Sequence, residues 1–373
     1  MKARPKIWRI GGRLAVCGIL LLWIFHNIFL NEGRLAGERQ GLAWDSLSRL
    51  DQWKAGWFYG PRELWRTLRI VNPASFAAAL GFMGLTVVLG AVRWHMVLRV
   101  QGLALPMGRT LAISMVAQFF NAFLLGSTGG DVLRAYYAAR ETHHKKTEAV
   151  VTVVVDRLIG LFSMLLFACV LVAPNLPLLW ARHWANKRLI ALTVFVLAML
   201  LACSVVVVLA FWGGVSRRWP NARTWLLRLP KGDLLERSID ASRRFGREPW
   251  FLGKVTALSM GLNVFSILPF VILARGMGLS VPVLPLFAIV PMIICVSALP
   301  ITPSGLGVRE SLFVIMLAIP EIHIEATKAL SLSLLGYAVF LFWSLVGGVV
   351  YLCLKDREHL SEVAQVENAV ENG

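Results

Sequence analysis

From Leu189 to Phe211 the chain carries no charged residue. A helix rises ~1.5 Å per residue and the hydrocarbon core of a bilayer is ~30 Å thick, so a run of about 20 apolar residues is enough to cross it. Comparable runs lie at Leu14–Leu30, Ala74–Met96, Ala149–Val172, Leu252–Ala274 and Ala329–Leu354. Hydrocarbon offers no water to peptide groups, so runs like these are stable there only as helices that satisfy their own backbone. The predicted class is an all-α polytopic membrane protein with about six transmembrane helices. Only 16% of the 373 residues are charged, against roughly 25% in soluble domains. The net charge of +17 does not imply a nucleic-acid partner, because the basic residues sit in short loops beside apolar runs. That pattern is the positive-inside signature, with contact to anionic lipid headgroups.

Two further segments are apolar but interrupted. Phe119–Arg140 stops at Gly126, Ser127, Thr128, Gly129 and Gly130, then restarts with Asp131 and carries Arg134 one turn in. Arg99 and Arg109 precede it, and Lys145 and Lys146 follow it. Basic flanks at both ends predict a hairpin that dips into the membrane and leaves on the side it entered. Ile294–Leu317 has the same build around Pro303-Ser304-Gly305-Leu306-Gly307-Val308-Arg309-Glu310. Two re-entrant helical hairpins are therefore expected, over about 107–142 and 283–320.

Lys2, Arg4, Lys6, Arg9 and Arg13 precede the first run with no acid among them, which places the N-terminus in the cytoplasm. The expected divisions are a first span with an outside interfacial segment (1–73), a first repeat with its hairpin (74–172), and a connecting span with a basic cytoplasmic interfacial loop (173–250). A second repeat with its hairpin (251–354) and an acidic tail without fixed structure (355–373) follow. Gly130-x-x-x-Arg134 aligns over Gly305-x-x-x-Arg309. The two repeats are expected to have opposite membrane orientation, the inverted-repeat plan of many secondary transporters.

The chemistry is expected at the two breaks. A helix start presents unpaired N–H groups and the positive end of its dipole, and glycine lets a ligand approach the backbone. An arginine one turn in adds a fork of donors suited to phosphate. Candidate substrate-binding residues are Asn121, Ser127, Thr128, Gly129, Gly130, Asp131, Arg134, Asp156 and Arg157 in the first repeat. Thr302, Ser304, Gly305, Gly307, Arg309 and Glu310 are their counterparts in the second. A plainer reading stays open: the glycines and prolines permit tight packing, while Arg134 and Arg309 snorkel or pair with Asp131 and Glu310. Asn121 could cap freed backbone groups or touch ligand. Asp156 and Arg157 are adjacent, so they face different partners.

Nothing in the sequence points to a catalytic, metal or cofactor site. No His-Glu-x-x-His, metal-spaced carboxylate pair, serine nucleophile elbow or Walker motif occurs. The five cysteines lie within or at the ends of apolar runs and read as small core residues.

Arg93-Trp94, Phe119-Phe120-Asn121, Gly129-Gly130-Asp131-Val132-Leu133-Arg134, Asp156-Arg157 and Pro303 through Glu310 together give the chain a family likeness over about residues 70–354. It resembles the membrane domain of the lysylphosphatidylglycerol synthase/flippase family. It departs from the family pattern at Gly126-Ser127, near a usual proline, and at Ser304, commonly a glycine. No soluble aminoacyl-transfer domain follows the last span, so the resemblance implies lipid translocation or lipid handling without aminoacyl transfer.

The expected function is a lipid flippase of the bacterial inner membrane, with both termini cytoplasmic, moving an anionic phospholipid or polyprenyl-phosphate-type lipid between leaflets. Expected partners are that lipid and anionic headgroups, with no nucleic acid and a homo-oligomer left open. The alternatives are an intramembrane lipid-modifying enzyme, or an accessory subunit of one, and a scaffold that grips a partner through residues 216–250.

Overall fold

The computed structural model describes residues 43–123, 129–142, 146–172, 187–211, 242–298, 308–318 and 326–353, together with Gly305, 322–324 and scattered positions between 26 and 41. Every regular element among them is helical. In chain order they are α1 (Arg49–Ile70), α2 (Pro73–Val100), α3 (Met107–Phe123), α4 (Gly129–Glu141), α5 (Lys146–Val172), α6 (Lys187–Phe211), α7 (Pro249–Gly276), α8 (Val283–Ser297), α9 (Val308–Leu317) and α10 (Ala326–Cys353). Among the described residues five helices are long and apolar enough to cross a membrane: α2, α5, α6, α7 and α10. The chain is an all-α, multi-pass membrane protein. The expected first span (14–30), the basic loop (216–250) up to residue 241 and the acidic tail lie outside the described residues, apart from a few positions near residue 30.

Local sequence sets the helix ends. α1 starts at Ser48, whose hydroxyl accepts from the Asp51 amide at 3.3 Å. Its Trp53, Trp57, Phe58 and Trp65 stay exposed, as suits a helix lying in an interface. α2 starts with Pro73 at its first position behind Asn72, whose side chain accepts from the Ala74 amide at 2.9 Å. It ends at Gly102, in the left-handed region at φ 68°.

α2 packs most extensively against α7, and the two run antiparallel. The Asn72 amide at the start of α2 donates to the Gly276 carbonyl at the end of α7, at 3.1 Å. Midway, Phe82 stacks on Phe265 with centroids 6.1 Å apart, and further along Arg93 meets Ser259. The other helices gather around this pair in matching sets. Exchanging α2 with α7, α3 with α8, α4 with α9 and α5 with α10 carries each substantial contact among them onto another of the same set. Thus α3 packs on α10 as α8 packs on α5, and α4 lies between α3 and α5 as α9 lies between α8 and α10. α6 stands outside this scheme, against α5 and α8.

The segments expected as hairpins are pairs of short helices. α3 and α4 pack on each other, and the Arg109–Glu141 ion pair ties the start of α3 to the end of α4. At ~1.5 Å per residue, α4 and α9 reach only about 20 and 15 Å, less than a bilayer core. One apolar core fills the region of α5 to α10, around Phe270, Leu273, Ile293 and Phe313. A second lies among α2 to α5, around Trp94, Ile113 and Tyr137.

Candidate functional site

Asp156, on α5, is 1% exposed and receives two arginines. Arg93 of α2 donates from Nε to Oδ1 at 2.8 Å and from its NH2 group to Oδ2 at 3.3 Å. Arg134 of α4 donates to Oδ2 at 3.1 Å. Each arginine then reaches a further helix. Arg93 donates to Ser259 Oγ on α7 at 3.3 Å, and Arg134 to Ser114 Oγ on α3 at 3.0 Å. The Arg134 guanidinium also lies over the Trp94 ring, 4.6 Å from its centroid. One carboxylate thereby holds five helices together. An ionised carboxylate in such surroundings is tolerable only when its lone pairs are met by charged donors, as they are here. Gly160, one turn beyond Asp156, makes room for this: a Cβ there would lie 2.9 Å from Arg93.

The adjacent residue faces elsewhere. Arg157 pairs with Asp131 at the start of α4. Arg134 is therefore paired with Asp156 and not with Asp131. Its contacts to Ser114 and the Trp94 ring accompany that pairing. In the second set, Arg309 pairs with Glu310, donates from Nε to Ser333 Oγ on α10 at 3.3 Å, and lies 4.5 Å from the Tyr337 ring centroid. Both arginines that follow a break, Arg134 as the sixth residue of α4 and Arg309 as the second of α9, rest on an aromatic ring, which supports a guanidinium through its quadrupole while leaving edge donors for an anion.

The two sets share one cavity of about 420 Å³. Arg93, Arg134, Asp156 and Arg157 line it from the first set, and Gly305 and Arg309 from the second. Apolar wall comes from Met83, Val87, Phe270 and Phe340. The volume lies in the usual range for a small-molecule site. Asn121 borders the cavity and also accepts from the Gly130 amide at 2.8 Å, so it caps the start of α4. Gly130 faces the other arm: a Cβ there would lie 1.9 Å from the Ala117 carbonyl oxygen. Gly305 has φ 69°, in the left-handed region, and a Cβ would meet Ser297 at 2.8 Å. Gly129 opens α4. Ser127, Thr128, Thr302, Ser304 and Gly307 lie outside the described residues.

Arg93, Ser114, Ser259, Trp94, Ser333 and Tyr337 were not among the sequence candidates for the site. Arg93 and Asp156 are 63 positions apart, and no local spacing joins them. Arg93-Trp94 entered only through the family likeness; the physical signal beside it is a basic residue before the end of an apolar run, which has to find an acid or leave the membrane. Among the described residues no cluster of three or more metal-binding side chains occurs.

Residues 53–348 match the model of the lysylphosphatidylglycerol synthase TM region family. A UPF0104 membrane protein of Methanothermobacter thermautotrophicus is 24% identical over 296 residues, covering 74% of this chain and 82% of the relative.

Proposed function

The chain belongs to the lysylphosphatidylglycerol synthase TM region family, and from that premise we propose that it is a translocator carrying an anionic lipid between the two leaflets of the bacterial inner membrane. The observation that carries this reading is the cavity lined by Arg134 and Arg309 together, each in the helix that follows a break and each on an aromatic ring. The headgroup enters the cavity between these guanidiniums, and the acyl chains stay in the surrounding lipid. The protein acts by binding and moving, without altering a covalent bond.

The antiparallel α2–α7 pair and the matched contacts around it support an inverted repeat. A twofold operation that exchanges two antiparallel helices has its axis perpendicular to them, hence in the plane of the membrane. The pairs α3–α4 and α8–α9 then enter from opposite faces as re-entrant hairpins, and rocking of one set against the other about α2 and α7 opens the cavity to each leaflet in turn. Both termini lie on the cytoplasmic side in this arrangement.

Proteoliposomes containing a fluorescent anionic phospholipid, with the outer leaflet bleached by dithionite, test the proposal. A charge-assisted hydrogen bond contributes roughly 1.5–3 kcal/mol, about ten- to a hundredfold, so Arg134→Ala and Arg309→Ala should each slow translocation by at least about tenfold. Unchanged flipping in both variants, with the proteins still monodisperse, would refute the role given to the cavity.

A further inference from the structure

Contacts inside the two matched sets, α2 to α5 and α7 to α10, agree residue by residue. A Cβ on Gly130 would run into Asn121 on the other arm of its hairpin, and one on Gly305 into Ser297. The Arg93 side chain of α2 fills the hollow at Gly160 on α5, and the Phe270 ring of α7 fills the hollow at Gly336 on α10; a Cβ would lie 2.9 and 2.2 Å from them. Exchanging the sets carries Gly130 onto Gly305, Asn121 onto Ser297, Gly160 onto Gly336 and Arg93 onto Phe270, at a nearly constant spacing in sequence. The same spacing carries Gly84 of α2 onto Gly261 of α7, and Trp343 of α10 onto Phe167 of α5. These two contacts would join one set to the other, and here the agreement fails. The Trp343 ring fills the hollow at Gly84, where a Cβ would lie 2.3 Å from it, and its indole N–H donates to the Leu80 carbonyl at 2.9 Å. Gly261 has nothing within 4 Å of a Cβ among the described residues, and Phe167 lies half-buried against the apolar core instead. Two rigid bodies tilted to one side of a symmetric arrangement produce this pattern. Tilting leaves the contacts within each body alike and makes those between the bodies unlike.

We infer that the two hollows form a reciprocal latch on the rocking of the two sets, an inference that rests on the alternating movement proposed above. In the described conformation Trp343 occupies the Gly84 hollow and the Gly261 hollow is empty. In the opposite one Trp343 leaves Gly84 and the Phe167 ring enters at Gly261. Close-packed surfaces exchange between discrete arrangements and do not slide through a continuum, so a ring in a glycine hollow is either seated or out. The two arrangements differ in energy. Phe167 has no N–H to offer the carbonyl of Ala257, the counterpart of Leu80, so the hydrogen bond of Trp343 biases the protein at rest toward the described conformation. When Trp343 leaves Gly84, α10 parts from α2 and from α3, which belongs to the same set as α2. When Phe167 reaches Gly261, α5 closes on α7 and on its companion α8.

Pulsed dipolar EPR on the purified full-length protein in nanodiscs, cleared of its native cysteines, tests the latch. One spin-label pair, Gly108→Cys with Val349→Cys, spans α3 and α10; the other, Leu284→Cys with Val170→Cys, spans α8 and α5. Gly108 has nothing within 4 Å of a Cβ and the other three positions are exposed, so all four accept a label. Gly84→Ala puts a methyl into the Trp343 ring. It should lengthen the first distance and shorten the second, moving the ratio of the two populations at least about fivefold. Gly261→Ala alone should keep the distances of the parent protein, because its methyl meets nothing in this conformation. Added to Gly84→Ala, it blocks the second hollow and should return the ratio by a similar factor. Trp343→Phe loses the hydrogen bond to Leu80 and should move the ratio in the direction of Gly84→Ala, about two- to tenfold. Opposite changes in the two distances separate rocking from a loosened bundle, which would lengthen and broaden both. Distances that stay fixed in Gly84→Ala, lengthen together, or ignore the added Gly261→Ala overturn the inference. Dithionite bleaching of the same proteins in liposomes judges the carrier reading separately. Distances that exchange as stated in a protein that flips no lipid keep the latch and refute the carrier, and flipping with unresponsive distances does the reverse.

Discussion

At Asp156 a single carboxyl decides how four other helices sit, because its two arginines continue to serines on α3 and α7. Removing one member of a buried ion pair leaves its partners charged and unmatched, at a cost of roughly 3–5 kcal/mol. Asp156→Ala should therefore lower resistance to unfolding by about that amount, read as a shift in the SDS unfolding midpoint of the purified protein. Thr86→Ala, at another cavity-lining position whose hydroxyl donates to the carbonyl of Met83 one turn back and lies 3.5 Å from the sulfur of the same residue, should shift it by less than about 1 kcal/mol. A midpoint for Asp156→Ala no lower than for Thr86→Ala would show that the cluster is not structural. Sequence alone indicated that Asp156 and Arg157 face different partners, because neighbours on a helix point apart. It did not reveal that Asp156 takes Arg93, since that choice is made by the crossing of α2 over α5. Glycine 160 was equally unreadable, because its value lies in what it leaves empty beside Arg93.

At the level of elements, the breaks were legible and their packing was not. Runs of glycine and hydroxyl residues between apolar stretches marked where α3 gives way to α4 and α8 to α9, and the helices end within a few residues of those marks. The sequence left two uses for the glycines open, ligand approach and tight packing. Gly130 packs against the backbone of Ala117, whereas Gly305 provides a left-handed turn. Gly130→Ala must therefore push the arms of the first hairpin apart, at roughly 1–3 kcal/mol. Gly81→Ala, in α2 with nothing within 4 Å of the new methyl, should be neutral or stabilising by up to about 1 kcal/mol. Thermal unfolding of both variants in the same detergent separates the two cases. A Gly130→Ala protein as stable as Gly81→Ala would mean that the hairpin arms are not in close contact.

For the whole molecule, the apolar runs identified the spanning helices, because bilayer thickness leaves a run of that length little choice. The short match of Gly130-x-x-x-Arg134 to Gly305-x-x-x-Arg309 hinted at a repeat, but its extent emerges only from the matched contacts of α2 to α5 with α7 to α10. If that match is an inverted repeat, the starts of α3 and α8 lie on opposite faces of the membrane. Gly108 stands at the start of α3 with nothing within 4 Å of a Cβ, and Val283 opens α8 and is 37% exposed, so both positions accept a reporter. Gly108→Cys and Val283→Cys, each in a background cleared of the native cysteines, should react from opposite sides. In intact cells an impermeant maleimide added outside should label Val283→Cys alone, and Gly108→Cys should label only after the membrane is opened. The Arg109–Glu141 ion pair adds a second constraint, since it holds the end of α4 beside the start of α3. A reporter at Thr142, just past α4, must then follow Gly108→Cys and remain protected from outside. Labelling of 108 and 283 from the same face would break the inverted arrangement. Labelling of 108 and 142 from different faces would instead make α3 and α4 a spanning pair, and rocking about α2 and α7 would then no longer carry the cavity from one leaflet to the other.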